Sequence, residues 1–295
     1  MTAATPLLFA ATGELVTEKS GVLNLGVEGM MLVGAVAGFV VTMATGSAVL
    51  GIGAAAAGGA FLALLFAVLT LGLLANQVAT GLALTLFGIG LSALIGQSYV
   101  GIPLDRLPRL DVPGLSDLPV VGALVFGHDA LIYLSLVMVG VVHWFLYRTR
   151  KGLILRAVGE NHDAAHAIGY PVLTIRLLAT LFGGAMCGLG GAYLSLAYTP
   201  MWAEDMVAGR GWIALALVVF ATWKPGRVLA GAYLFGGVTI AQLHVQGAGF
   251  AVPSQFLSML PYLATILVLV LISRDQVRIR LNAPACIGKT FHPAA

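Results

Sequence analysis

The side chains best suited to metal or acid–base chemistry are six histidines, and they are scattered: His128, His143, His162, His166, His244 and His292. Only His162 and His166 stand four apart, a spacing that puts both imidazoles on one helix face. A zinc site needs further ligands, and this pair lacks them, so it reads as a solvated face. Cys187 and Cys286 show neither metal spacing nor a disulfide framework. The first reads as a small core residue and the second as an incidental residue of the tail. No Ser, Cys or Thr sits in a nucleophile elbow. The phosphate-binding pattern GxxxxGK[ST] is absent; its nearest fragment, Gly288-Lys289-Thr290, lacks the upstream glycine. Ion coupling would need acids inside the apolar runs. The candidates, Glu14 and Glu28, are expected close to an interface, and Glu204 and Asp205 in an external loop. Neither bond chemistry nor an ion relay is supported.

The elements that carry these residues are set by composition. Apolar residues make up 59% of the 295 and charged residues only 9%, with mean hydropathy +0.99. A soluble domain carries about 25% charged residues; a chain this poor in charge has lipid as its solvent. No Asp, Glu, Lys or Arg occurs between Glu28 and Asp105, nor in 130–147, 177–203 or 228–273. One helical span takes about 20 apolar residues, and strand-type alternation is missing, so the runs are helices. The expected fold is all-α: one polytopic transmembrane helical bundle over 1–295, with about 8–10 spans, some of them broken half-helices. Breaks at Gly, Pro, Asn or charge place the spans near 3–17, 26–44, 48–74, 77–97, 129–147, 172–197, 209–222, 228–246 and 256–273, with 209–222 short enough to be broken or re-entrant. The start lacks the basic region of a cleavable signal peptide. The glycine pairs in the spans, such as Gly34/Gly38, Gly58/Gly59 and Gly183/Gly184, either let helices approach closely or line a cavity.

Alternating these spans puts 18–25, 148–171, 223–227 and the tail on one side. That side then holds Lys19, Arg148, Arg150, Lys151, Arg156, Arg176, Lys224, Arg227, Arg274, Arg278, Arg280 and Lys289, leaving Arg106, Arg109 and Arg210 opposite. Basic loops face the cytoplasm. The Pro-rich stretch 101–128 is therefore an external loop, and 148–171 the longest cytoplasmic segment. Within the latter, Glu160 to Ile168 reads as a short helix started near Gly159 and stopped by Gly169 and Pro171. Ala164 and Ala165 would allow close approach, and Glu160, Asn161 and Asp163 could bond a partner's edge. The segment is either an ordinary positive-inside loop or a docking helix for a soluble protein.

Two stretches are more specific. Residues 20–39, SGVLNLGVEGMMLVGAVAGF, resemble the signature of permeases from the simple-sugar and nucleoside ABC importers. Within 150–247, RAVGENHDAAHAIGYP, GGAMCGLGGAYLSL and GRGWIALALVVFATWKPGRVLAGAYLFG are similar to that family's coupling helix and following core helices, in the same order. The likeness runs from about residue 5 to 273 and is nearest the shorter permease of the nucleoside branch, although such permeases usually carry one more apolar segment ahead of Thr5. It implies a break joining two half-helices near the pore, with Asn24, Gly26 and Glu28 lining the route. It implies that Gly159, Glu160, Asn161, Asp163, Ala164, Ala165 and Gly169 couple to an ATPase.

Asn76, Gln77 and Gln97 are uncharged groups that could face a hydroxylated solute, or could cap helices and bond between them. Glu204, Asp205, Arg210 and Trp212 could meet a solute-binding protein, or form a solvated loop. By resemblance, the expected partners are an ABC ATPase subunit that holds ATP and Mg, a second permease (a longer homologous chain, otherwise this chain itself) and an extracytoplasmic solute-binding lipoprotein. The chain itself would hold no cofactor or metal and bind no nucleic acid. The setting would be membrane lipid, in a bacterial cytoplasmic (inner) membrane. The expected role is translocation of a nucleoside or similar small neutral solute by alternating access. Rivals are the same machinery carrying a simple sugar such as a pentose, an ATP-independent channel or facilitator, and an ion-coupled transporter.

Overall fold

The computed structural model describes residues 1–108, 110, 126–247 and 282–292, with single positions 256, 259, 260, 263, 264, 266, 267 and 270. The expected span 256–273 as a whole, most of the loop 101–128 and the tail cations Arg274, Arg278 and Arg280 lie outside the described residues. The elements are α1 (Thr5–Lys19), α2 (Val27–Thr45), α3 (Ala48–Ala67, continued by a π turn over Val68–Gly72), α4 (Gln77–Gly96) and α5 (Ala130–Arg148). There follow α6 (Arg150–Glu160), α7 (His162–Ala167), α8 (Val172–Tyr193, with a π turn over Leu194–Tyr198), α9 (Arg210–Phe220) and α10 (Pro225–Gly247). Among the described residues the only bridges are isolated, Val100 with Trp202 and Pro103 with Met201. The molecule is a polytopic helical bundle.

Helix starts are set by short polar side chains that satisfy the first free N–H groups. Asn76 Oδ1 accepts from Ala79 N at 3.0 Å, Asp129 Oδ1 from Leu131 N at 3.0 Å, and Thr149 Oγ1 from Gly152 N at 3.0 Å. Among the described residues six helices, α2, α3, α4, α5, α8 and α10, are long and apolar enough to cross a membrane. Of the expected spans, those at α1 and α9 are too short. The 11 residues of α9 rise about 16 Å at 1.5 Å each. The 15 of α1 are buried from Thr5 to Glu18, a core helix enclosed on every face, flanked by α8, α9, α5 and α10.

Lipid tails are as apolar as leucine, so the bundle is held by close packing. α8 lies against α1, α2 and α3. A methyl group on Gly188 would come 2.1 Å from Ala55 O, one on Gly34 2.4 Å from Gly188 Cα, and one on Gly59 2.1 Å from Gly184 O. At these positions backbones touch, so packing accounts for the glycines there.

One expectation is corrected at the basic end. Gly159 does not start the short helix. It sits in α6, pressed against the end of α1, where an added Cβ would meet Lys19 O at 2.2 Å. The start is Asn161, whose extended backbone separates α6 from α7 and whose Oδ1 accepts from Ala164 N at 3.0 Å. Gly169, in the left-handed region at φ 92°, closes α7.

Candidate functional site

The turn after α1 passes through Gly21, at φ 89°, and 21–26 then climbs along α4. Leu23 N donates to Gln77 Oε1 at 2.8 Å, Thr85 Oγ1 donates to Leu25 O at 3.0 Å, and Gly29 lies against Gly88, where a Cβ would meet Gly29 Cα at 2.6 Å. Gly26 lies against Gly81, and Gly88 is 11 residues above Gln77 on α4, a rise of roughly 16 Å. The head of α2 therefore lies inside the bundle, above the first turn of α4. There it meets the head of α9: Glu28 Oε1 accepts from Gly209 N at 2.8 Å and Oε2 from Gly211 N at 2.6 Å. Two helix N-termini, each a concentration of positive partial charge, converge on one carboxyl group.

Glu28 and Glu14 are enclosed, at 3% and 0% exposure, and not at an interface as expected. An apolar run reveals its length but not its depth, and the climb of 21–26 carries Glu28 inward. Glu14 Oε1 accepts from Asn24 N at 3.2 Å, and Trp223 Nε1 donates to Glu18 Oε2. The acids are thus tied to backbone or indole N–H groups and hold the break together.

The other expected route residues divide. Asn24 is fully buried, and its Oδ1 accepts from Gly26 N at 2.9 Å, folding the turn back on itself. Gly26 precedes α2 as its cap residue. Gln77 is buried, with Oε1 bonded to Leu23 N and Nε2 without a partner. It lines a polar recess of about 350 Å³ with Asn76, Val78, Gly288, Lys289 and Thr290. Asn76 is the exposed cap of α4, and Gln97 is exposed at its far end, apart from the break. The structure therefore brings Asn24, Gly26, Glu28 and Gln77 together, and leaves Gln97 out.

In the segment expected to couple, Glu160, Asn161, Asp163, Ala164 and Gly169 are exposed. Gly159 and Ala165 face inward, the first onto Lys19 and the second into a small core with Val158, Val172 and Phe291. At the opposite end, Glu204 and Asp205 are exposed and Trp212 is 39% exposed. Arg210 turns back on its own loop, donating to Met206 O at 3.1 Å and Val207 O at 2.9 Å, with its guanidinium over Tyr198. Among the described residues no three of His, Cys, Asp and Glu gather as a metal site would require.

Two features were not anticipated. Arg176, expected among the loop cations, is fully enclosed in the first turn and a half of α8. A charge inside an apolar run was its signal. The stretch 282–292 is also seated rather than loose. Cys286 N donates to Gly159 O at 2.9 Å and its Sγ to Glu160 O at 3.3 Å; Gly288 N donates to Gly21 O at 3.2 Å; Lys19 Nζ donates to Asn282 O at 2.6 Å. Cys286 is therefore a contact of the end of α6, not an incidental residue.

A family model described as "Branched-chain amino acid transport system / permease component" matches residues 1–272. The chain is 43% identical to the "Putative glucose ABC transporter permease protein TsgC13" of Haloferax volcanii, over 98% of this chain and 95% of the relative. It is 34% identical to the nucleoside ABC transporter permease protein NupC of Lactococcus lactis and 31% identical to the guanosine ABC transporter permease protein NupQ of Bacillus subtilis; each alignment covers 90% of this chain and 88% of the relative. No solved structure matches it. By that match over 1–272, and as a helical bundle in which α2 and the short α9 meet head to head at Glu28, the chain belongs to the family of branched-chain amino acid transport system permease components.

Proposed function

We propose that this chain is the membrane subunit of an ABC importer that moves a nucleoside or similar small neutral solute by alternating access. ATP and Mg belong to a separate ATPase subunit in this reading. A second permease completes the pore, and an extracytoplasmic lipoprotein delivers the cargo across the inner membrane of a bacterium.

The observation that carries the reading is the outward face of α7. Asn161, Asp163, Ala164 and Ile168 are exposed there, Ile168 at 73%, beside the exposed Glu160 at the end of α6. A short helix with small and acidic residues and one apolar tip suits a groove in a soluble partner. The neighbouring Arg150 and Lys151 keep the segment at the basic, cytoplasmic face. Glu28 adds support: its carboxyl is occupied by two backbone N–H groups, which speaks against ion coupling. The cargo follows from the nucleoside and guanosine relatives. The glucose relative favours a second reading, the same machine carrying a simple sugar.

Co-purification tests the class. Wild-type chain should retain an ATPase that Glu160→Arg and Ala164→Trp lose, and retention by both variants would favour the ATP-independent facilitator. Competition of uptake by guanosine, adenosine and glucose separates the two cargoes.

A further inference from the structure

Arg176 is the one arginine among the described residues with no exposed surface. Its Nε donates to Ser20 O at 3.2 Å, its Nη1 to Lys289 O at 3.1 Å, and its Nη2 meets His162 Nδ1 at 3.0 Å. These acceptors belong to three stretches far apart in sequence: the turn that ends α1, the C-terminal stretch, and the first residue of α7. A guanidinium only donates, from a rigid planar fork. His162 Nδ1 must therefore be bare, which leaves the ring neutral with its proton on Nε2, 3.5 Å from Asp163 Oδ1. Enclosing a charge with neutral acceptors is costly, and a fork fitted to three segments fixes where they lie relative to one another.

What lies beyond Ser20 gives this arrangement its consequence. Ser20 begins the turn that climbs through Leu23 and Leu25 to Glu28, and Glu28 holds the head of α9. From α7 to the meeting point of α2 and α9 there is thus one connected run of short contacts, and Arg176 is its first joint.

We infer that Arg176 is a positioning residue: it carries displacement of α7 into the turn at 20–26 and so into the meeting point of α2 and α9, with 282–292 as the third arm of the clamp. The inference rests on reading α7 as the helix that docks the ATPase. A run of contacts alone does not establish coupling, so the test must read movement.

In the complex purified with its ATPase, spin labels on Ala167→Cys in α7 and Thr45→Cys at the far end of α2 report a distance before and after trapping with ATP and vanadate. In otherwise unaltered protein that distance should shift on trapping. His162→Leu, which removes an acceptor, and Arg176→Met should abolish most of the shift while the ATPase stays bound and hydrolyses ATP at no less than half the normal rate. His162→Gln, whose amide oxygen can accept from Arg176, should restore it. Combining His162→Leu with Arg176→Met should cost no more than Arg176→Met alone.

No shift in the unaltered pair, a full shift in His162→Leu, or equal loss in His162→Leu and His162→Gln would overturn the inference. Should Arg176→Met fail to assemble, the two His162 variants decide alone. The docking reading fails separately, if Glu160→Arg and Ala164→Trp still hold the ATPase; if they release it while the His162→Leu shift is normal, only the clamp is wrong.

Discussion

Glu28 reaches across to Gly211, whose N–H donates to Oε2 at 2.6 Å while Gly209 N–H donates to Oε1 at 2.8 Å. Gly211 must lack a side chain for this to happen, since a Cβ there would lie 2.6 Å from Oε2 and 2.7 Å from the Glu28 backbone. The short α9, which alone could not make a full crossing, is thereby joined to the head of α2. The head of α9 therefore does not leave the Gly209 and Gly211 N–H groups stranded.

Replacing Glu28 by Gln keeps the shape and spoils half of this. One amide oxygen can still accept, but the NH₂ group then faces the other N–H. Hydrogen bonds to a charged group are worth about 1.5–3 kcal/mol, and an unsatisfied buried donor about 1–3 kcal/mol. Glu28→Gln should therefore lose about 2 kcal/mol of stability, seen as a lower unfolding temperature in detergent. An unchanged temperature would show that the carboxyl is not holding α9.

Glycines that touch backbone should be separable from glycines that do not. At Gly188 an added methyl meets Ala55 O at 2.1 Å, whereas at Gly90 nothing lies within 4 Å. Overpacking costs about 1–3 kcal/mol or more, while Gly→Ala at an open helical position gains up to about 1 kcal/mol. Gly188→Ala should depress the yield and melting temperature of purified protein, and Gly90→Ala should leave both unchanged or raised. The same loss at both positions would refute the assignment of α3 and α8 as a backbone-to-backbone pair.

The helices were legible because their ends are punctuated: the expected segments 77–97 and 172–197 lie within two residues of Gln77–Tyr99 and Val172–Tyr198. The turn at 20–26 was marked by its motif, and the exposed residues Glu160, Asn161, Asp163 and Ala164 by their mix of small and acidic types. Depth was not. Glu28 lies inside the bundle only because 21–26 climbs along α4, and that climb is made by Leu23 N and Leu25 O, backbone atoms with no sequence pattern. The seating of 282–292 was hidden for the same reason, since Cys286 N to Gly159 O and Gly288 N to Gly21 O are main-chain bonds. Arg176 looked like one more loop cation because a tally by side does not show which way a residue near a helix start faces.

Acidity should loosen the clamp. Burial, and then the Arg176 charge, hold the His162 ring below the usual imidazole pKa; Asp163 acts the other way and Lys289 with Arg176. In the folded chain the ring stays neutral while in the unfolded chain it takes a proton near pH 6.5. The sign follows. Stability is level above that pH and falls as pH drops through 6.5 towards the lower folded value, by at most about 1.4 kcal/mol per unit for one proton. Unfolding temperatures measured from pH 7.5 to 5.5 should decline for wild type. The decline should be shallower for His162→Gln, and parallel slopes would remove His162 as the source.

Thiol chemistry reports the seat of the C-terminal stretch. Cys286 is 7% exposed and Cys187 fully buried. Phe291 is the plug of this seat: it packs on Val158, Ala165 and Val172, with its ring centroid 5.3 Å from those of both His162 and His166. Truncating a buried Phe costs about 3–5 kcal/mol. Cys286, by contrast, is held beside Gly159 and Glu160 by two hydrogen bonds. Removing the plug should therefore unseat 282–292 without unfolding the bundle, because the spans pack elsewhere. A water-soluble maleimide should label wild-type Cys286 slowly and label it at least tenfold faster in Phe291→Ala, while Cys187 stays silent in both until the protein is denatured. Rapid labelling of Cys286 in the wild type would mean that the stretch does not rest on α6 and α7, and Cys187 appearing together with Cys286 in Phe291→Ala would mean that the whole bundle, not its strap, had opened.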